Sequence, residues 1–252
     1  MNNKKEIKFD FIIPARMESS RFPGKPLKNL ANKCVIDWVY NNCLESKYSN
    51  NVFIATDSDH IAKYCNKTNK KYILTGEHNC ASNRIAEASE NFKNKWIVEV
   101  QGDEPLLWGR FIDTWLNKCI KSIDYDNIDL FLSVAHLDSK HADNINYVKI
   151  VSDINGKLKW VSRSRIPSNS KGTFKGEYFR HTGFHLWKNS SLQKFSKISP
   201  SYIEISEDTH ATRIVENNFF AQTITLPETQ AIDIPEDIKA AEKLLNRMKN
   251  EI

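Results

Sequence analysis

The sequence predicts an α/β fold with a mainly parallel central sheet flanked by helices. Short apolar runs have the length of strands buried on both faces, as in Phe11–Ile13, Val52–Ala55 and Trp96–Val100. Segments with helical spacing of apolar residues separate these runs, as in Val35–Ser46. This alternation is typical of parallel strands joined by right-handed crossovers. We therefore expect ligands to bind at the carboxyl ends of the strands.

The loop after the first strand is basic and rich in hydroxyl groups. Pro14 ends the strand because it has no N–H to donate to the ladder, and the loop then carries Arg16, Ser19, Ser20, Arg21, Gly24 and Lys25. Fixed cations, hydroxyls and backbone donors suit a polyphosphate. The alternative is a solvated surface loop, but its place directly after a buried strand favours binding. Neither G-x-x-x-x-G-K-[ST] nor G-x-G-x-x-G is present, which disfavours a P-loop ATPase and a dinucleotide-binding protein.

The predicted strand Trp96–Val100 is followed by Gln101-Gly102-Asp103-Glu104-Pro105. An acid at this edge of the sheet can bind Mg²⁺, which usually takes one or two carboxylates and completes its shell with phosphate oxygens and water. The alternative is a turn aspartate before a proline. Because Asp103 would share its edge with the basic loop, the metal interpretation is favoured.

The second half continues as strands and helices without a linker, which predicts a single domain over residues 1–252. Predicted strands are Leu130–Ala135, Tyr147–Val151, Leu158–Ser162, His181–Trp187 and Ala221–Leu226. Predicted helices lie around Leu192–Phe195, from about Asp208, and near Pro235–Met248. The polar segment Pro167–Glu177 is expected to be a mobile excursion.

Composition restricts the setting of the protein. The net charge of +5 is spread along the chain without a Lys/Arg block, so no nucleic-acid partner is expected. The five cysteines form no C-x-x-C pair, and their odd number argues against a disulfide framework and for a reducing, cytoplasmic setting. No stretch has the length of a transmembrane helix, so no membrane insertion is expected.

An ordered series of motifs gives the chain a family resemblance. The motifs are Pro14–Leu27, Ala55-Thr56-Asp57, Val100–Pro105, Val148–Val151, Ser162–Pro167, Arg180-His181-x-Gly183 and Ile232–Asp237. Single motifs of this set are weak, but the series is collinear over most of the chain. The chain resembles the 3-deoxy-manno-octulosonate cytidylyltransferases, also called CMP-Kdo synthetases.

The resemblance implies a Rossmann-like nucleotidyltransferase that is a Mg²⁺-dependent homodimer. It would transfer a cytidylyl group from CTP to an acidic sugar for lipopolysaccharide or capsule synthesis. Residues 1–125 would bind the nucleotide, and residues 126–252 would bind the sugar and contain a dimerisation extension. The implied nucleotide-binding residues are Ala15, Arg16, Ser19, Arg21, Lys25, Ser82, Arg84 and Gln101, with Arg16 and Lys25 also catalytic. The implied sugar-binding residues are Gln101, Arg163, His181, His185 and His210, and the metal ligands are Asp103 and Asp233.

Three departures from the family pattern concern ligand recognition. Cys80-Ala81-Ser82-Asn83-Arg84 stands where the family has Ser-Gly-Thr-Asp-Arg, His185 replaces a tyrosine, and His210-Ala211 replaces a Glu-Gln pair. Because these changes alter charge and hydrogen-bonding groups near the sugar, the acceptor can differ from plain Kdo. Amino-Kdo and nonulosonic acids are candidates, and Glu207 and Asp208 would meet an ammonium group if they point inward.

Two other interpretations remain open. Asp208 or Thr209 can simply cap a helix, with His210 packed in its first turn. The whole chain can also be an idle nucleotide- or sugar-binding module, although binding alone would not require the pair Asp103 and Asp233. The presence of Arg163 and His181 argues against a sugar-phosphate acceptor.

Overall fold

The structure, a computed structural model, describes residues 7–19, 21–122, 125–171, 176–227 and 229–249, with side chains to residue 247. Ser20 of the basic loop lies outside the described residues. So do residues 172–175 of the predicted excursion Pro167–Glu177.

The described residues form eleven strands and eight α-helices. The strands are β1 (Phe9–Pro14), β2 (Asn29–Leu30), β3 (Lys33–Cys34), β4 (Ser49–Thr56), β5 (Tyr72–Leu74), β6 (Trp96–Val100), β7 (Leu130–Leu137), β8 (Lys149–Ser152), β9 (Leu158–Ser162), β10 (Tyr178–Lys188) and β11 (Ala221–Thr225). The helices are α1 (Val35–Glu45), α2 (Asp59–Lys67), α3 (Ala81–Ser89), α4 (Gly109–Ile120), α5 (Asn189–Ser196), α6 (Tyr202–Glu207), α7 (Ala211–Glu216) and α8 (Asp237–Lys249).

One nine-stranded sheet runs through both halves of the chain. Its main path is β11-β7-β10-β6-β1-β4-β5, and β8 and β9 branch from β10. Strands β6, β1, β4 and β5 are mutually parallel, as are β7 and β11, while β10 is antiparallel to both β6 and β7. The prediction of a mainly parallel α/β sheet is confirmed, and β10 is the strand that joins the two halves.

The apolar runs are buried on both faces of the sheet, as predicted. Phe11 and Ile13 pack into the core on one face, and Ile12 packs into the core on the other. The three side chains are fully buried. Helices α1 and α2 begin where expected, and the Ser58 hydroxyl accepts from the Ile61 N–H as a helix cap.

The helix predicted from about Asp208 is present but begins later, at Ala211. Helix α6 ends at Glu207, and Asp208 adopts a left-handed conformation with φ 45° before α7 begins at Ala211. Aspartate is one of the residues that tolerate this conformation. The chain therefore turns at Asp208 and places His210 just before α7.

Within the described segments, no helix is long and apolar enough to cross a membrane.

Candidate active site

The basic loop after β1 is folded tightly enough to fix Lys25. Gly24 has φ +71°, a conformation that glycine adopts without strain, and its N–H donates to Met17 O at 2.9 Å. The Phe22 N–H donates to the Ser19 hydroxyl at 3.2 Å. A single 3₁₀ turn, Lys25–Leu27, then follows. The local sequence thus holds Lys25 on a 3₁₀ turn in the loop after the first strand.

Gly102 lets the loop after β6 approach the loop after β1. A Cβ atom on Gly102 would lie 2.8 Å from the Pro14 carbonyl oxygen, which is closer than a side chain tolerates. The close approach brings Asp103 to Lys25, with 2.7 Å between Oδ2 and Nζ. The predicted convergence of the two loops at one edge is therefore present.

The segment before α8 adds a second carboxylate to this pair. Asp233 Oδ1 lies 3.9 Å from Lys25 Nζ and accepts from Arg21 Nη2 at 2.9 Å. The Ile232 N–H donates to the Asp103 carbonyl, so Asp233 is anchored beside Asp103. A Mg²⁺ site usually takes only one or two carboxylates from the protein, so the neighbouring Asp103 and Asp233 fit such a site.

A cavity opens in front of these groups. It is lined by Pro14, Ala15, Arg16, Glu18, Ser19, Arg21, Lys25, Pro26, His78, Asn79, Ala81, Arg84, Gln101, Gly102, Asp103 and Asp233. We call it the nucleotide cavity. Seven of the eight predicted nucleotide-binding residues lie on it, together with both predicted metal ligands. Arg16 is exposed there and forms no ion pair with a described residue.

Ser82 is the predicted nucleotide-binding residue that the structure does not place on the nucleotide cavity. Its side chain is fully buried, and its hydroxyl donates to Glu99 Oε2 at 3.0 Å. Arg84 lines the cavity but is 3% exposed, and its guanidinium donates to Asp57 Oδ2 at 2.5 Å and Thr75 Oγ1 at 2.6 Å. Arg84 therefore braces the loops that form the cavity wall.

A second, larger cavity of about 870 Å³ lies beside the first, and we call it the acceptor cavity. Its lining includes Gln101 and the three predicted histidines, His181, His185 and His210. Five residues line both cavities: Arg21, Ala81, Gln101, Asp103 and Asp233. The two cavities therefore meet at the carboxylate pair.

The three histidines form one cluster. His181 Nε2 lies 2.7 Å from His185 Nε2, with the two rings stacked, and the His210 ring stands edge-on to His181 at 6.4 Å between centroids. In a regular strand, residues four apart are separated by about 13 Å. The pairing of β10 with β7 is irregular between His181 and His185, where this contact forms. Sequence periodicity did not indicate this contact.

Burial and neighbouring charges set the protonation of this cluster. Burial is the main reason that the pKa of His181 lies well below 6.5, and the charges of His210 and Arg180 act in the same direction, so its ring is neutral. Burial alone would lower the pKa of His210, but the charge and hydrogen bond of Cys80 outweigh it and raise that pKa to about 9. Burial alone would raise the pKa of Cys80, but the charge and hydrogen bond of His210 outweigh burial, so the pKa of Cys80 is lowered. His210 is therefore charged at neutral pH.

Arg163 does not line the acceptor cavity. Its guanidinium donates to the carbonyl oxygens of Glu207 at 2.8 Å, Ile145 at 2.9 Å and Asp208 at 2.6 Å. The Glu207 carboxylate accepts from Ser162 and from the Arg163 N–H. Glu207 and Asp208 are thus bound to the end of β9 and lie off the cavity, so the suggested ammonium contact is wrong. The role of Arg163 in sugar binding stays a prediction without support from this geometry.

Several cavity residues were missed by the sequence reasoning. His78 and Asn79 belong to the loop after β5 and line the nucleotide cavity. Arg180 lines the acceptor cavity and is the residue before His181 in a motif already noted. Glu99 is fully buried beneath the cluster, and an acid inside the apolar run Trp96–Val100 was the available signal.

Glu104 is a further acid of the acceptor cavity. It is 4% exposed, and burial, strengthened by the charge of Asp103, raises its pKa to about 7. Arg180 and a hydrogen bond with Thr229 act in the opposite direction. The carboxyl group therefore changes charge near neutral pH.

The fold and this edge of the sheet, with cations and paired acids between two cavities, define an α/β nucleotidyltransferase. A model of the cytidylyltransferase family matches residues 11–237, which is most of the chain. The chain belongs to the cytidylyltransferase family.

Relatives within this family have a consistent description. A 3-deoxy-manno-octulosonate cytidylyltransferase of Christiangramia forsetii is 34% identical over 245 residues, covering 93% of this chain and 96% of the relative. One of Chlorobium phaeobacteroides (strain BS1) is 30% identical over 235 residues, covering 92% and 95%. Among solved structures, a CMP:2-keto-3-deoxy-manno-octonic acid synthetase complexed with CTP superimposes with a TM-score of 0.87 at 26% identity, covering 96% of this chain and 99% of that one.

Proposed function

We propose that this protein transfers a cytidylyl group from CTP to the anomeric hydroxyl of a 3-deoxy-octulosonate-type acidic sugar and releases pyrophosphate. The observation that carries the proposal is the meeting of the two cavities at Gln101, Asp103 and Asp233. A nucleotide in one cavity and a sugar in the other would have their reacting atoms at this junction. The description of the relatives and of the CTP-bound neighbour supports the choice of substrates.

The cations of the nucleotide cavity account for the chemistry. When the sugar oxygen attacks the α-phosphorus, negative charge grows on the equatorial and leaving oxygens. Lys25, which is held on its turn, and Arg16, which is free of ion pairs with described residues, can stabilise that charge without rearrangement. These two residues are the proposed catalytic groups.

We also propose that Asp103 and Asp233 bind Mg²⁺. The support is their convergence on Lys25, at 2.7 Å and 3.9 Å from its Nζ. A bound Mg²⁺ would neutralise phosphate charge and lower the proton affinity of the attacking hydroxyl. The two carboxylates are held in position by hydrogen bonds, Asp103 by Lys25 and Asp233 by Arg21.

Pyrophosphate release with CTP and Mg²⁺ tests the proposal against a panel of Kdo, amino-Kdo and a nonulosonic acid. Turnover with Kdo means that the replacements at His185 and His210 are tolerated. Turnover only with another acid makes those residues determinants of acceptor choice. Absence of release with every acceptor contradicts the proposal and favours the binding-module interpretation.

A matched substitution separates enzyme from binding module. Asp103→Asn keeps the size of the side chain and removes the charge, so a metal-dependent enzyme loses turnover while a binder retains CTP affinity. Isothermal titration with CTP beside the activity assay gives both readouts. Full activity of both Asp103→Asn and Asp233→Asn would show that the metal assignment is wrong.

The assembly and its setting are proposals as well. The homodimer was implied by the family resemblance, and β7, the first strand of the second half, is buried within the sheet of its own chain. Among the exposed apolar side chains that a second copy could cover are Tyr202 and Ile205 of α6, which are 78% and 71% exposed. A monomeric mass in light scattering would contradict the dimer. The five unpaired cysteines support a cytoplasmic setting, and a product destined for lipopolysaccharide or capsule follows from the substrate proposed.

A further inference from the structure

Glu99 is a buried carboxylate with an unusual set of partners. It is fully buried on β6, and Oε2 accepts from Ser82 Oγ and from Trp187 Nε1, both at 3.0 Å. Oε1 accepts from Gln101 Nε2 at 2.6 Å. A carboxylate that accepts several hydrogen bonds is held ionised, and the mechanism proposed above does not use Glu99.

The contact with Glu99 fixes the orientation of the Gln101 amide. An ionised carboxylate can only accept hydrogen bonds, so the group facing it must be the amide nitrogen. The amide carbonyl Oε1 is then left as the acceptor that Gln101 offers to a ligand. Gln101 lines both cavities, so this acceptor stands at their junction.

The same carboxylate fixes the proton of His185. These two residues are directly opposite each other in the pairing of β6 with β10, and His185 Nδ1 lies 3.4 Å from Glu99 Oε2. That distance is long for a hydrogen bond, and Nδ1 has no other partner among the described residues. A buried nitrogen that faces an ionised carboxylate carries its hydrogen. His185 is 1% exposed, so this contact with Glu99 is shielded from solvent.

A neutral His185 with its hydrogen on Nδ1 determines the tautomer of His181. The two Nε2 atoms are 2.7 Å apart, so one of them must donate. Because Nε2 of His185 is then the acceptor, Nε2 of His181 is the donor. The remaining nitrogen of His181, Nδ1, is left as an acceptor.

We propose that Glu99 is a positioning residue that sets the direction of the hydrogen bonds in the acceptor cavity through Gln101, His185 and His181. The wall formed by Gln101 and His181 presents the acceptors Gln101 Oε1 and His181 Nδ1. It selects the part of the ligand that carries donors, such as hydroxyl groups. The carboxylate of an acidic ligand must bind elsewhere in the cavity, and Arg180 is a cation on its lining. The consequence for acceptor choice rests on the function proposed above, whereas the tautomers do not.

Nitrogen-15 NMR of the histidine rings at pH 8 tests the tautomers in the unmodified protein. The signals are assigned by replacing His181 and His185 one at a time with Gln. The expected result is His185 protonated on Nδ1 alone and His181 on Nε2 alone. An imidazolium at His185, or its hydrogen on Nε2, would overturn the proposal. This readout is informative even if no acceptor is turned over.

Glu99→Gln tests the consequence for binding. An amide can donate as well as accept, so Gln101 and His185 lose their fixed orientation. We expect the KM for Kdo to rise about tenfold or more while the KM for CTP changes by less than about twofold, as for loss of one or two oriented hydrogen bonds. The His185 ring should show mixed tautomers. Glu216→Gln, which alters a hydrogen-bonded glutamate off both cavities, is the matched control. Unchanged tautomers and an unchanged KM for Kdo in Glu99→Gln would refute the positioning role.

Discussion

Lys25 is the residue on which the proposed chemistry depends most. It is the cation that both carboxylates approach, and its side chain is 15% exposed at the floor of the nucleotide cavity. Its position follows from the turn at Gly24 and from the close approach at Gly102. A charge held in this way needs little reorganisation during the reaction.

Lys25→Met is therefore expected to lower kcat by about 100- to 1000-fold, as removal of a single stabilising donor does elsewhere. Steady-state pyrophosphate release at saturating CTP measures the effect. Lys28→Met is the control, because Lys28 is three residues away, exposed and off both cavities. Equal losses in the two variants would show that only the net charge of the loop matters.

Arg180 and Arg163 provide a paired test of where the acid binds. Arg180→Ala should raise the KM of the acceptor by about 10- to 100-fold, because a charge-assisted hydrogen bond is worth roughly 1.5–3 kcal/mol. Arg163→Ala should leave that KM within about threefold and lower the melting temperature, since it leaves three carbonyl oxygens without their donor. The reverse pattern would restore Arg163 as a sugar-binding residue.

Glu104 should make the stability of the protein depend on pH. The pKa of Glu104 in the folded protein is about 7, above the ordinary 4.5. Its contribution to the free energy of unfolding is therefore complete below pH 4.5 and is lost as the pH rises towards 7. The difference between these two pKa values corresponds to about 3 kcal/mol of unfolding free energy, at roughly 1.4 kcal/mol per pH unit. Urea unfolding between pH 4.5 and 8 in EDTA measures the slope. The slope should be smaller in Glu104→Gln, and an identical slope in both proteins would contradict the assignment.

At the scale of elements, β10 is the strand that organises the acceptor cavity. It pairs with β6 and β7, and its Gly183 carbonyl accepts from the Gln101 N–H at 2.8 Å. A Cβ atom on Gly183 would lie 2.5 Å from Gln101 Cγ. The strand therefore needs glycine here to pass close to the junction of the two cavities.

Gly183→Ala should displace Gln101 and raise the acceptor KM or lower kcat by about tenfold or more, since a displacement of 1 Å can cost about 100-fold. Gly76→Ala is the control, because its Cβ would meet only Glu87 Oε2, at 3.7 Å. Steady-state measurement of the acceptor KM and kcat in both variants tests this expectation. A fully active Gly183→Ala would mean that β10 can move to accommodate the Cβ atom without displacing Gln101.

Regular strands and helices could be predicted from the apolar pattern of the sequence, whereas irregular backbone could not. Apolar runs placed β1, β4, β6 and β9 within a few residues, and Trp96–Val100 was predicted with its observed bounds. The irregularity of β10 and the left-handed turn at Asp208 depend on tertiary contacts that leave no periodic signal. The histidine cluster and the displacement of Arg163 from the cavity follow from these two features.

At the scale of the whole molecule, the site is assembled from segments that are far apart in the chain. Arg21 and Asp233 are joined by a hydrogen bond across the two ends of the sequence. The edge shared by the basic loop and Asp103 could be predicted from strand order alone, but Asp233 came only from the family resemblance. No local pattern shows that the segment before α8 returns to the end of β1, because that return depends on packing.

Phosphorus-31 NMR of the protein with CTP, Kdo and Mg²⁺ tests the central claim most directly, that one chain joins a nucleotide and an acidic sugar at the carboxylate pair. The account predicts that the CTP signals are replaced by one phosphodiester signal of a CMP-sugar and by pyrophosphate, in equal amounts. It also predicts that neither product forms without the sugar or with Asp103→Asn. Formation of CMP or CDP without a phosphodiester, or equal rates with Asp103→Asn, would contradict the account.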